Sequence, residues 1–177
     1  MQTITVSIAD ANGARCSKFE HLLQGEQGIR VLANAATKQG DMTGNRRLAP
    51  RTDITVVEDM VARIRRLNPR VLLANMKQCT DADCEMLVTL RRECPETLVV
   101  LLADESLQQE DRVVQALARG ARGYLNLDSD SPQISKIIQA IDRGEAWVPR
   151  KMLGKLMDQI LHLCHGSSTG PHFDPAG

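Results

Sequence analysis

Apolar positions along this chain follow two rhythms that take turns. Short, nearly continuous runs rich in β-branched and leucine residues predict strands buried on both faces. They are Thr3 to Ala9 (TITVSIA), Ile29 to Ala33 (IRVLA), Val71 to Ala74 (VLLA), Leu98 to Leu102 (LVVLL) and Gly123 to Leu127. Between them, apolar residues recur at three- and four-residue spacing, which predicts helices. Asn12 to Gln24 carries Phe19, Leu22 and Leu23, and Val56 to Leu67 stops before Asn68-Pro69. Asp81 to Cys94 turns Met86, Leu87 and Leu90 inward, and Gln108 to Arg119 ends at Gly120. A fifth helix opens at Ser131-Pro132 and buries Ile134, Ile137, Ile138 and Ile141 before Gly144.

Strands alternating with helices imply a parallel sheet covered on both faces, an α/β three-layer (βα)5 sandwich. Such sheets place their working groups at the carboxyl ends of the strands. Here those ends are Asp10, Asn75, Ala103 and Leu127. One connection breaks the pattern. Residues 37–52 (TKQGDMTGNRRLAPRT) have no apolar period and predict a long loop, either mobile or functional. The domain is expected over 1–148, followed by an amphipathic helix over 149–164 and a flexible polar tail over 165–177. The sixth helix places Met152, Leu153, Leu156, Met157, Ile160 and Leu161 on one stripe. That stripe is too wide for a free surface helix. It docks on its own domain or pairs with a second chain as a dimer helix.

Composition narrows the functional classes. The 177 residues balance 22 Lys and Arg against 22 Asp and Glu, so no global charge argues for nucleic acid. Four aromatic residues, Phe19, Tyr124, Trp147 and Phe173, leave little for base stacking. Five cysteines at 16, 79, 84, 94 and 164 show no C-x-x-C spacing and read as reduced thiols. The strand-like segment directly after Met1 resembles no signal peptide, and no apolar run reaches membrane-span length. A cytoplasmic protein without membrane contact is the expectation.

The runs RRLNPRVLLANMK, LVTLRRECPETLVVLLA, ALARGARGYLNLDSD and AIDRGEAWVPRKML, in that order and spacing, resemble the receiver domain of LuxR/NarL-type response regulators over roughly residues 3–163. The resemblance implies a flavodoxin/CheY-like fold and a phosphorylation pocket. In that family two acids after the first strand hold Mg²⁺, and an Asp after the third strand is the nucleophile. A Thr or Ser after the fourth strand and a Lys after the fifth contact the phosphoryl group. This chain matches the first acid with Asp10 but has Ala11, Asn75, Ala103 and Leu127 at the other positions. An amide is far too weak a nucleophile to form an acyl phosphate, and one carboxylate holds Mg²⁺ poorly. The resemblance therefore implies a degenerate pocket, no enzymatic activity and no cofactor. Tyr124 matches the family's switch position on the output face.

The function expected is a phosphorylation-independent pseudo-receiver that works through protein contacts, as a homodimer. The alternative is the regulatory half of a LuxR-type transcription factor whose helix-turn-helix is absent from this chain. With no recognition helix or basic patch, the chain alone should not bind DNA. Trp147-Val148-Pro149-Arg150 loosely resembles a cyclic di-GMP motif, but its middle positions do not match and it reads as an ordinary end to the domain. Asp10 reads as a residual loop acid or helix N-terminal carboxylate. His162, Cys164 and His165 read as surface residues rather than a metal site, and Arg46, Arg47 and Arg51 as solvated charges.

Overall fold

Five parallel strands, in the order β2-β1-β3-β4-β5, form a single sheet in the computed structural model. The structure describes residues 3–32, 53–78, 84–103, 110–126 and 130–165. The strands are β1 (Ile4–Ala9), β2 (Ile29–Val31), β3 (Val71–Asn75), β4 (Leu98–Ala103) and β5 (Gly123–Asn126). The helices are α1 (Gly13–Gln24), α2 (Asp53–Leu67), α3 (Glu85–Glu93), α4 (Glu110–Ala118), α5 (Ile134–Asp142) and α6 (Arg150–His165). The expected loop over 37–52, the tail beyond 165 and Leu127 lie outside the described residues.

The two-residue period of a strand sorts the core into two layers. Val71 and Leu73 of β3, with Val100 and Leu102 of β4, join Phe19 and Leu23 of α1 and the four isoleucines of α5. Leu72 and Ala74, with Leu101 and Ala103, join Met60 and Ile64 of α2, Leu87 and Leu90 of α3, and Val113 and Leu117 of α4. Because both faces are covered, the central strands are apolar at almost every position. Arg70, just before β3, locks the opposite pole. Its Nε donates to Asp142 Oδ1 of α5 at 2.8 Å, and its backbone N–H to Thr5 Oγ1 at 2.9 Å.

Three sequence expectations change. In α1 the buried stripe is Cys16, Phe19 and Leu23, while Leu22 faces solvent. Helix α3 runs from Glu85, and Cys84, expected inside the helix, caps it with a left-handed backbone at φ 48° that a helix cannot pass through, while Asp81 lies outside the described residues. Ser131–Gln133 makes a 3-10 turn before α5, so Pro132 precedes the α-helix instead of opening it.

Candidate functional site

The strand order reverses between β1 and β3, and the crevice outside their carboxyl ends is the expected ligand position of such a sheet. Asp10 follows β1 and Asn75 ends β3. Both side chains are buried, and the Asn75 amide donates from Nδ2 to Asp10 Oδ2 at 2.9 Å. The other end of that amide is fixed as well, since Asn75 Oδ1 accepts the Lys77 backbone N–H at 2.9 Å.

Helix α1 supplies the rest of the site. Asn12 caps it, accepting the backbone N–H groups of Ala14 and Arg15 at 3.1 and 3.2 Å. The Asn12 N–H in turn donates to Asp10 Oδ1 at 2.8 Å. The Arg15 side chain folds back over the cap. Its Nε stands 2.8 Å from Asp10 Oδ2, and its Nη2 donates to Oδ1 at 3.3 Å. The Nε contact is a close ion pair rather than an aligned hydrogen bond. Asp10 thus lies in the loop between β1 and α1, where Asn12 rather than Asp10 caps the helix, and its buried carboxylate is held by a cation and an amide. Beside it, the Cys16 thiol donates to the Asp10 carbonyl at 3.4 Å.

Of the other pocket positions, Ala103 ends β4 as a buried methyl and Ala11 points into solvent. Tyr124 is half-buried on β5 and packs against the α2–α4 layer of the core. Its N–H donates to the Trp147 carbonyl at 2.9 Å, and the Trp147 N–H to the Arg122 carbonyl at 3.1 Å. Trp147 itself packs half-buried against the α1–α5 layer.

No family model matches the sequence. The chain is 26% identical over 106 residues to the transcriptional regulatory protein LiaR of Bacillus subtilis (strain 168), a match covering 60% of this chain and 48% of that protein. The matched stretch is therefore about half the length of this curated relative. Among solved structures, the chain is similar to a LuxR-family two-component response regulator from Aurantimonas sp. SI85-9A1. The TM-score is 0.66 at 14% identity, over 90% of this chain and 99% of that one. It is also similar to the isolated REC domain of RcsB from Salmonella enterica serovar Typhimurium, with a TM-score of 0.64 at 12% identity over 88% and 99% of the two chains. The chain has the response-regulator receiver fold.

The receiver fold implies a divalent cation at the carboxyl ends of β1 and β3, and the residues here do not fit one. Magnesium seeks oxygen ligands in octahedral array. Around Asp10 the neighbours are a guanidinium, an amide N–H and a backbone N–H, all donors. Among the described residues, no group of three or more His, Cys, Asp or Glu side chains could hold a metal ion.

The receiver's α4 face carries a second cluster. Met152 of α6 is buried in the core layer of α4, and Leu156 packs against it half-buried. Lys151 Nζ donates to Glu110 Oε1 at 2.5 Å, and Lys155 Nζ bridges Glu110 Oε2 at 3.2 Å and Asp111 Oδ1 at 3.4 Å. The hydrogen bonds from Lys151 and Lys155 hold the Glu110 carboxyl below its ordinary range. Hydrogen bonds to Glu110 and Asp111 hold the Lys155 ammonium above its own. The predicted stripe is thus divided. Met152 and Leu156 dock on the domain, while Leu153, Met157, Ile160 and Leu161 are exposed. His162 and Cys164 are exposed on the last turns of the same helix.

Sequence reasoning missed Arg15 and Glu110. A signal existed for Arg15: a cation in the first turn of a helix opposes the helix dipole and calls for a nearby anion. Glu110 gave none, since its partners lie more than forty residues away.

Proposed function

We propose that this chain is a LuxR/NarL-type pseudo-receiver, a regulatory module that acts through protein contacts without accepting a phosphoryl group. The observation that carries the reading is the Asn75–Asp10 hydrogen bond: the position aligned with the nucleophile is an amide donating to the remaining acid. A phosphoacceptor needs a carboxylate there, and neighbours that welcome a metal. Ala103, and Leu127 by alignment, remove the hydroxyl and ammonium groups that would contact a bound phosphoryl. The chain works in the cytoplasm, as one domain over 1–148 with the helix 149–164 attached, and is not an enzyme.

The partner surface includes the exposed side of α6, where Leu153, Met157 and Ile160 fall at four- and three-residue spacing. That spacing suits a seam with a second helix, and a second copy of the chain is the proposed partner. The test of the pseudo-receiver reading is incubation with acetyl phosphate, or with beryllofluoride and Mg²⁺, followed by intact mass and light scattering. No adduct and no change in assembly are expected. A phosphoryl-aspartate would overturn the reading.

The match to half of LiaR, a protein named as a transcriptional regulator, favours a second reading. Here the chain is the regulatory half of a longer factor, whose DNA-binding half follows in the gene, and a ligand such as cyclic di-GMP replaces phosphorylation. Trp147 packs against the core, which leaves less of it for stacking on a guanine. Calorimetry with cyclic di-GMP separates the two, heat of binding being expected only on the second reading.

A further inference from the structure

We propose that the Arg15 guanidinium is the resident cation of this pocket, and that it bars divalent metal from Asp10 independently of the residue at position 75. The proposal rests on the pseudo-receiver reading and deepens it, since it divides the pocket's silence between two separable causes.

Lone pairs decide the first part of the argument. An ionised carboxylate offers about four acceptor directions. At Asp10 three are taken by hydrogen bonds, from the Asn12 N–H and Arg15 Nη2 to Oδ1 and from Asn75 Nδ2 to Oδ2, and Arg15 Nε crowds Oδ2 as an ion pair at 2.8 Å. A metal could reach either oxygen only by displacing one of these donors. Charge decides the second part. The Asp10 side chain is 2% exposed and the Arg15 side chain 21%, so the pair is screened little by water. One negative charge already has its positive partner, and a dication would sit a few ångströms from a guanidinium that cannot lose its proton. The position of Arg15 supplies the third part. It stands three residues after the cap of α1, where the helix dipole disfavours a cation. Folding back onto Asp10 is what offsets that cost.

Replacing the amide alone should therefore not reopen the site. In N75D, the new carboxylate would meet the same guanidinium, whose five N–H donors can serve two acids at once. Arg15 would be held more firmly, not released.

The experiment uses the full chain and Mn²⁺ as the probe, with free Mn²⁺ followed by electron paramagnetic resonance and thermal midpoints measured with and without the ion. Four proteins are compared: wild type, N75D, R15Q and N75D/R15Q. Wild type, R15Q and N75D are expected to bind weakly and without thermal stabilisation. The double variant should bind tighter than N75D by about tenfold or more and gain stability on adding the ion. If the double variant is unfolded in chelator, recovery of its native circular dichroism with Mn²⁺ supports the proposal equally, and failure to recover overturns it. N75D binding as tightly as the double variant, or a folded double variant that ignores Mn²⁺, also overturns it. None of these results bears on wild-type phosphorylation, so the pseudo-receiver reading stands or falls by its own test.

Discussion

Asp10 and Asn75 face each other across 2.9 Å from the ends of two adjacent parallel strands, the amide as donor and the carboxylate as acceptor. A second carboxylate at 75 would repel Asp10, whereas the amide satisfies it. Removing the amide leaves a buried acceptor short of a donor. Asn75→Ala should therefore cost about 2 kcal/mol of unfolding free energy, in the range for a lost hydrogen bond to a charged group. Urea unfolding followed by circular dichroism measures it. A change within a few tenths of a kcal/mol would mean that Arg15 and the Asn12 N–H suffice for Asp10.

Helix α6 gives a prediction that separates its two sides. Leu156 packs on the domain's own core, so Leu156→Glu should loosen α6 and lower stability by about 1–3 kcal/mol. Ile160 and Met157 are exposed, so Ile160→Glu and Met157→Glu should stay within about 0.5 kcal/mol of wild type. If the exposed side is the dimer seam, these two substitutions convert dimer to monomer in sedimentation equilibrium while the fold persists. A wild type that is monomeric at high concentration sinks the dimer and leaves the docking of Leu156 intact.

The contact between α4 and α6 is electrostatic at its edge, and its pH dependence has a defined direction. Glu110 is held low by Lys151 and Lys155, so its contribution is present above the ordinary glutamate value of 4.5 and fades as pH falls through the lowered one. Lys155 is held high by Glu110 and Asp111, so its contribution is present below 10.5 and fades as pH rises through the raised value. The tether is intact between these limits. Trp147, the single tryptophan, lies three residues before α6 and reports on its docking. Its fluorescence should be flat across neutral pH and change toward both extremes. In Glu110→Gln the acid-side change attributable to this tether should disappear. An identical acid limb in that variant would place the transition elsewhere.

Gly123 sits where β5, α5 and the segment before α6 converge. A Cβ there would lie 3.2 Å from Ile141 Cδ1 and 3.2 Å from the Trp147 carbonyl oxygen. The isoleucine can move, but the carbonyl belongs to the pairing with Tyr124. Gly123→Ala should cost about 1–3 kcal/mol, as overpacking does. Thermal melts of the variant would show the loss, together with a shifted Trp147 emission. An unchanged melting curve would mean that the backbone around Trp147 yields freely.

The sheet was readable from the sequence because the central strands are buried on both faces and so are apolar throughout, as in VLLAN and LVVLLA. Helix interiors were readable where one stripe is buried, as with Ile134, Ile137, Ile138 and Ile141 of α5. What escaped is what depends on backbone angles or distant partners. Nothing in the periodicity around Cys84 announces a left-handed residue. The width of the α6 stripe called for cover from its own domain or from a second chain, but only the packing assigns Met152 and Leu156 to α4. At the site, the positions Asp10 and Asn75 were legible through the strand ends. Arg15 depends on a side chain turning back across a cap, a geometry that residue spacing does not specify.

The Trp147 pairing limits how this molecule can be recognised. The edge of a sheet is the usual place for a foreign strand to add, whether a partner peptide or a misfolded neighbour. At β5 the bridge from Gly123 to Trp147 takes that place, with the Tyr124 N–H and the Arg122 carbonyl already engaged. At the opposite edge β2 is only three residues long, a poor template for a ladder. Recognition by strand exchange is thereby discouraged at both margins, and the chain is protected in the same way from the edge-to-edge growth that begins aggregation.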